Sequence, residues 1–155
     1  MRIILVIIFI LVVLFLQIGI FPHLKIVGVY PNLIFLAIVS LAIVGDWKKN
    51  LGWIIVSGLF LDFYSLQNIL GISVLFLLLS CLFSLFLNKK ILKEENKLSL
   101  ILIFLISSLF YELLLFISGS NLSLSGLVAK IIYNSILALP IFYLIKFYVG
   151  KFKEI

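Results

Sequence analysis

A chain of 155 residues that is 65% hydrophobic and only 12% charged, with a mean hydropathy of +1.40, is too apolar to be a water-soluble domain of its size. Its net charge of +6 does not mark a nucleic-acid binder, because there is no soluble basic surface on which to lay a duplex. The bilayer is the solvent this composition requires.

Six apolar stretches follow one another, at 3–21, 26–44, 51–64, 70–87, 98–118 and 127–149. Five reach the roughly 17–25 residues that a helix needs to cross the hydrocarbon, and the third, at 14 residues, falls short. None alternates with period two, so helices rather than a closed barrel satisfy the backbone in lipid. Residues 1–21 have the Arg2-then-apolar order of a signal peptide, but the run is longer than an h-region and no Ala-x-Ala-like site follows. The run is therefore read as a helix.

Charge then orients the chain. With a cytoplasmic N-terminus and six spans, Arg2, Lys48, Lys49, Lys89, Lys90, Lys93, Lys97, Lys146, Lys151 and Lys153 lie inside and only Lys25 and Lys130 outside. This ten-to-two split fits the positive-inside rule. Fusing the third and fourth stretches into one span would turn the basic 88–97 loop and the C-terminal tail outward, so six spans are preferred to five. The expectation is an all-α polytopic membrane protein, a six-transmembrane-helix bundle forming one integral membrane domain over 1–155, with both termini cytoplasmic. No Pro/Gly/Ser-rich linker, soluble domain or internal repeat is visible.

In chain order, Gln17 is a polar residue within the first span, and His23 follows Pro22 at the outer boundary, where an interfacial position explains it. Pro31 sits where a first helical turn tolerates a missing N–H. The short third span carries Gly52, Gly58 and Asp62, with Gly58 and Asp62 four apart on one face. Fourteen residues cover only about 21 Å of a roughly 30 Å core, so the 65–69 exit lies partly at membrane depth. Asp62 is then a plausible acceptor for the exposed N–H groups of 67–70. On the fourth span Ser80 and Ser84 suit a close helix contact, and Cys81, with no second cysteine, is a packing residue. The 88–97 loop, with four Lys against Glu94 and Glu95, anchors the topology and is suited to acidic headgroups or a cytoplasmic partner.

Charges at the bilayer centre cost on the order of 2.5–3.5 kcal/mol on insertion scales, so Asp62, Glu112 and Lys130 each need a partner or a purpose. Glu112 lies roughly 9 Å before the end of its span and Lys130 roughly 5 Å into the next, which a Lys side chain can bridge. An ion pair between them is expected; the alternative is Lys130 snorkelling to the interface with Glu112 protonated or hydrated. Gln17, Tyr111, Tyr133 and Asn134 fall in the same half of the membrane, as an interhelical packing layer or as an outward pocket or docking groove. Pro140, mid-helix in the sixth span, removes the hydrogen bond to the Ile136 carbonyl and should kink it. No catalytic set, phosphate-cradling glycine loop or metal-ligand cluster can be assembled, so no enzyme, cofactor or metal is expected.

Pro31-Asn32-Leu33 opening the second span, then Gly52, then Gly58-Leu59-Phe60-Leu61-Asp62, then Ser65 and Gly71 after a short turn, resemble the central signature of the bacterial rod shape-determining protein MreD family. Asn134 and Pro140 in the last span and the basic tail are also similar. The 66–70 turn departs from the pattern in having fewer Gly and Pro residues. The resemblance implies a non-enzymatic plasma-membrane subunit of the cell-elongation machinery. Its implied partners are the single-span protein MreC and, through it, MreB filaments and the peptidoglycan-synthesising enzymes. It also implies a fold like the substrate-capture subunits of energy-coupling-factor vitamin transporters, which keeps a rival function in play. A scaffold should pack Gln17, Asp62, Glu112 and Asn134 against one another, whereas a capture subunit should aim several at an empty space of roughly 300 Å³ or more. A channel is weakened because no span carries a polar stripe along its length.

Overall fold

The computed structural model describes residues 8, 11–25, 28–45, 48, 50–65, 70–92, 96–119 and 123–151. Of the readings above, those on Arg2, Lys49, the 66–69 turn, Lys93, Glu94, Glu95 and Lys153 fall outside the described residues. Among the described residues there are six helices: α1 (Leu11–His23), α2 (Leu33–Val44), α3 (Leu51–Ser65), α4 (Ile72–Leu87), α5 (Lys97–Ile117) and α6 (Leu124–Lys151). The apolar parts Ile72–Lys90, Lys97–Ile117 and Leu124–Val149 are long and apolar enough to cross a membrane, while the first three helices are apolar but shorter.

The second helix differs most from its apolar stretch. Its sequence is hydrophobic from residue 26, yet it begins only at Leu33, because Pro31 disfavours helical geometry in the residue before it and Asn32 takes the N-cap position. The Asn32 side chain accepts from the Phe35 N–H at 3.0 Å. At 12 residues, α2 covers about 18 Å, too short to span alone. It need not, because nearly every residue from Leu33 to Ile43 is buried, and α4 and α6 pack against it. It is the core around which the longer helices assemble, which is why it is apolar on all sides. The irregular backbone before it is tolerated because Val29, Pro31 and Asn32 are themselves buried. At its other end the Asn50 side chain donates to the Leu41 carbonyl at 3.0 Å and so covers an orphan acceptor.

Each of α4 and α5 packs on its sequence neighbours, and α5 on α6. Between α3 and α4 the approach is close: a Cβ added at Gly58 would lie 2.5 Å from the Val74 Cα, so only glycine fits there. Across α4 and α5, Ser84 Oγ and Ser107 Oγ share a hydrogen bond at 2.8 Å, and Phe83 stacks on Phe110 at 4.6 Å. Phe104 and Phe142 meet edge to face between α5 and α6. The last helix runs through Pro140 without a break. Cys81 is buried in the core.

In this alternating arrangement, one end of the bundle holds the exits of α1, α3 and α5 and the starts of α2, α4 and α6. Lys48, Lys89, Lys90, Lys97 and Lys146 belong to the opposite end. The outward faces of α3 to α6 carry large exposed apolar residues such as Phe63, Leu75, Phe116 and Phe147, the surface expected where the surroundings are lipid.

Candidate functional site

The polar residues at membrane depth converge on the starts of α2 and α4. A helix start leaves backbone N–H groups without partners, and in a place water does not reach each costs roughly 1–3 kcal/mol if left unpaired. At α2 those donors are met from three directions. Asn134 Oδ1 of α6 accepts from the Asn32 N–H at 2.8 Å, Gln17 Oε1 of α1 accepts from the Leu33 N–H at 2.7 Å, and Asn32 covers Phe35.

Each amide is used at both ends. Gln17 Nε2 donates to the Pro31 carbonyl at 3.1 Å, and Asn134 Nδ2 donates to Ser108 Oγ of α5 at 2.9 Å. Gln17 sits in a π-helical turn, Leu16–Ile20, of which it is the buried residue; the wider turn presents it to the start of α2. One residue of α6 therefore ties together α2, α5 and α6, and one of α1 fastens that helix to the bundle.

At α4 the acceptor is a carboxylate. Asp62, only 1% exposed, accepts from the Gly71 N–H at 2.6 Å and from the Ser73 N–H at 2.9 Å. These donors lie beyond the 67–70 segment assigned to Asp62 from the sequence, of which Leu70 is the described residue. The reason is the turn. Gly71 has φ +94°, a left-handed conformation natural to glycine, and it delivers its own N–H and that of Ser73 in the first α4 turn to the carboxylate. The helix dipole adds to the attraction, and Gly58, one turn before Asp62 on α3, lets α4 come near enough.

The third polar element joins α5 to α6. Glu112 is fully buried, whereas the Lys130 side chain keeps 16% of its surface exposed. The Lys130 ammonium lies 3.0 Å from Glu112 Oε1 and donates to Oε2 at 3.1 Å. Beside this pair is a recess of about 230 Å³ lined by Gln17, Tyr30, Asn32, Tyr64, Ser73, Tyr111 and Lys130 together with Gly28, Val29, Leu61 and Leu115. A larger apolar groove, about 500 Å³, runs between α1 and α6 over Leu33 and Leu41 of α2, with Pro140 in its wall.

The candidate residues therefore divide. Pro31, Asn32 and Asn134 meet at the start of α2; Gly58, Asp62 and Gly71 build the α3–α4 junction; Glu112 and Lys130 pair beside the recess; Pro140 lies apart, on the groove. Gln17, Asp62, Glu112 and Asn134 are not packed chiefly against one another: three of the four bond backbone N–H groups. Side-chain amides and carboxylates go where unpaired donors are, and two helix starts supply them. Sequence reasoning missed Tyr30, Tyr64, Ser73 and Ser108. Tyr30 adjoins Pro31 and Tyr64 lies two residues after Asp62, so proximity to the motif was the available signal; nothing in the pattern singled out Ser108. Among the described residues no group of three or more His, Cys, Asp or Glu could hold a metal ion.

Comparison with curated protein sequences and with solved structures finds no match. A family model does match, that of the rod shape-determining protein MreD, over residues 1–152. With its helices of membrane-spanning length and its nearly complete coverage by that model, the chain belongs to the MreD family and to the bacterial machinery that determines rod shape.

Proposed function

We propose that the chain is a non-catalytic scaffold subunit that binds the transmembrane helix of MreC and helps couple peptidoglycan synthesis to MreB filaments. The observation that supports this reading is where the buried polar groups are directed. Gln17, Asn134 and Asp62 hold the bundle's own helix starts, and Glu112 holds Lys130. Such a network fixes helix positions and presents a rigid apolar exterior to a neighbour. In this reading the chain is a single membrane domain with cytoplasmic termini, its lysine-rich end inside, and Pro31, Asn32, Gly58, Asp62, Gly71, Glu112, Lys130, Asn134 and Pro140 act by setting the shape of that exterior.

Co-purification of the membrane-embedded protein with its neighbours tests the proposal. Recovery of MreC in fixed stoichiometry supports it, and recovery of an ATPase pair with a bound vitamin overturns it in favour of a transporter capture subunit. The recess beside Lys130 is what favours that second reading, but at about 230 Å³ it is smaller than the roughly 300–1,000 Å³ of sites that enclose a whole small molecule. Orientation is tested separately: a reporter at Lys93 that is accessible from outside intact cells rules out the inside placement of the 88–97 loop.

A further inference from the structure

The recess has a chemistry that packing alone does not explain. Its charged group is Lys130, whose ammonium has three N–H donors. Glu112 has two oxygens to occupy, so at least one donor remains for the recess. Because Glu112 cancels the charge, the site as a whole is neutral and disfavours a ligand of net charge. The aromatic side chains of Tyr30 and Tyr64 line the same recess, and Tyr64 is 37% exposed. Aromatic faces attract ammonium groups, and an amine can also donate to phenol oxygens. Lys130 lies six residues past the start of α6, about 9 Å along it, and Gly28, Val29 and Tyr30 belong to the connection that precedes α2. The recess is thus near the end of the helices, at the level where headgroups meet hydrocarbon.

The geometry points to a binding site for a zwitterionic phosphoethanolamine group, its phosphate on Lys130 and its amine between Tyr30 and Tyr64. The volume suits a headgroup whose acyl chains stay outside, and a net-neutral ligand leaves the Lys130–Glu112 charge balance intact. This inference does not depend on the scaffold reading, since it concerns lipid and not MreC.

The test is native mass spectrometry of the full-length protein released from detergent containing equal amounts of phosphatidylethanolamine and phosphatidylglycerol. The expected result is at least a five-fold excess of the ethanolamine lipid among bound species. That excess should disappear in Tyr64→Leu and in the charge-neutral pair Glu112→Gln/Lys130→Gln, both checked for unchanged thermal unfolding. Displacement of the lipid by millimolar phosphoethanolamine identifies the free headgroup as sufficient; failure to displace it assigns recognition to the intact lipid. Equal binding of both lipids, preference for phosphatidylglycerol, or an unchanged excess in a folded Tyr64→Leu protein overturns the proposal.

Discussion

At the start of α2 the free N–H groups are held by three amide side chains, two of them from other helices, whereas at the start of α4 a single carboxylate from the preceding helix holds them. A carboxylate offers acceptors only and forms stronger, charge-assisted bonds. Burying it demands nearby donors and a favourable dipole, and a helix start supplies both. It therefore suits a hairpin such as α3–α4, where Gly71 follows Asp62 by nine residues. An amide carries no charge to desolvate, but its NH₂ also needs an acceptor. Gln17 finds the Pro31 carbonyl and Asn134 finds Ser108, so each amide cap becomes a tie among several helices. The α4 cap locks a local turn, while the α2 cap determines how distant helices are arranged.

The largest effect is expected at the carboxylate. Asp62→Leu orphans two buried donors and should destabilise by about 3 kcal/mol, at roughly 1–3 kcal/mol per donor. Asp62→Asn retains one acceptor oxygen, so it keeps one of the two N–H bonds in neutral form and strands the other donor, and should lose about 2 kcal/mol. Thermal unfolding in detergent and accumulation in membranes measure both; equal behaviour of the two variants removes the capping argument.

Next is Asn134→Leu, expected to lose about 2 kcal/mol by stranding the Asn32 N–H and the Ser108 hydroxyl. Because this cap joins distant helices, cysteine cross-linking between α2 and α6 should weaken while α3–α4 cross-linking stays unchanged. A loss confined to α3–α4 would reverse the assignment of the two caps.

Gly58→Ala should cost about 1–2 kcal/mol, within the range for overpacking a close contact. Its Cβ forces α4 away from α3, so a Gly58→Ala/Asp62→Asn double variant should deviate from additivity. Additivity within about 0.5 kcal/mol would show that the approach at Gly58 and the cap are separate. The smallest expected effect is Gln17→Glu measured at low pH, where the buried carboxyl is neutral, about 1 kcal/mol: its carbonyl oxygen keeps the Leu33 N–H and its O–H replaces the amide as donor to the Pro31 carbonyl. Raising the pH should enlarge the loss in thermal unfolding, because the ionised carboxylate cannot donate there and is a buried charge to desolvate; a loss that does not change with pH would show that the donor half of Gln17 contributes nothing.

The contrast between the two caps also separates what could be read from the chain from what could not. Asp62 is within reach of the next helix start because a short helix leaves its exit at membrane depth, so a local length argument finds it. The donors it meets were displaced by a few residues because the left-handed turn at Gly71 sets where α4 begins. Glu112 and Lys130 are 18 residues apart across a single connection, and rise per residue alone puts them at one level. Asn134 and Asn32 are 102 apart, and no periodicity in either segment relates them.

Composition and lysine spacing were enough to require the bilayer and a set of helices, since apolar runs of that length have no other way to satisfy their backbone. Pro31 and Asn32 were visible too, but only the assembled bundle shows that α2 starts late, is too short to span, and survives because other helices enclose it. Helix rotation and pairing are set by which side chains find unpaired donors in a dry interior, and that depends on all six helices at once. The recess beside Lys130 is the clearest case: its walls come from five helices and a connection, and none of those segments contains it alone.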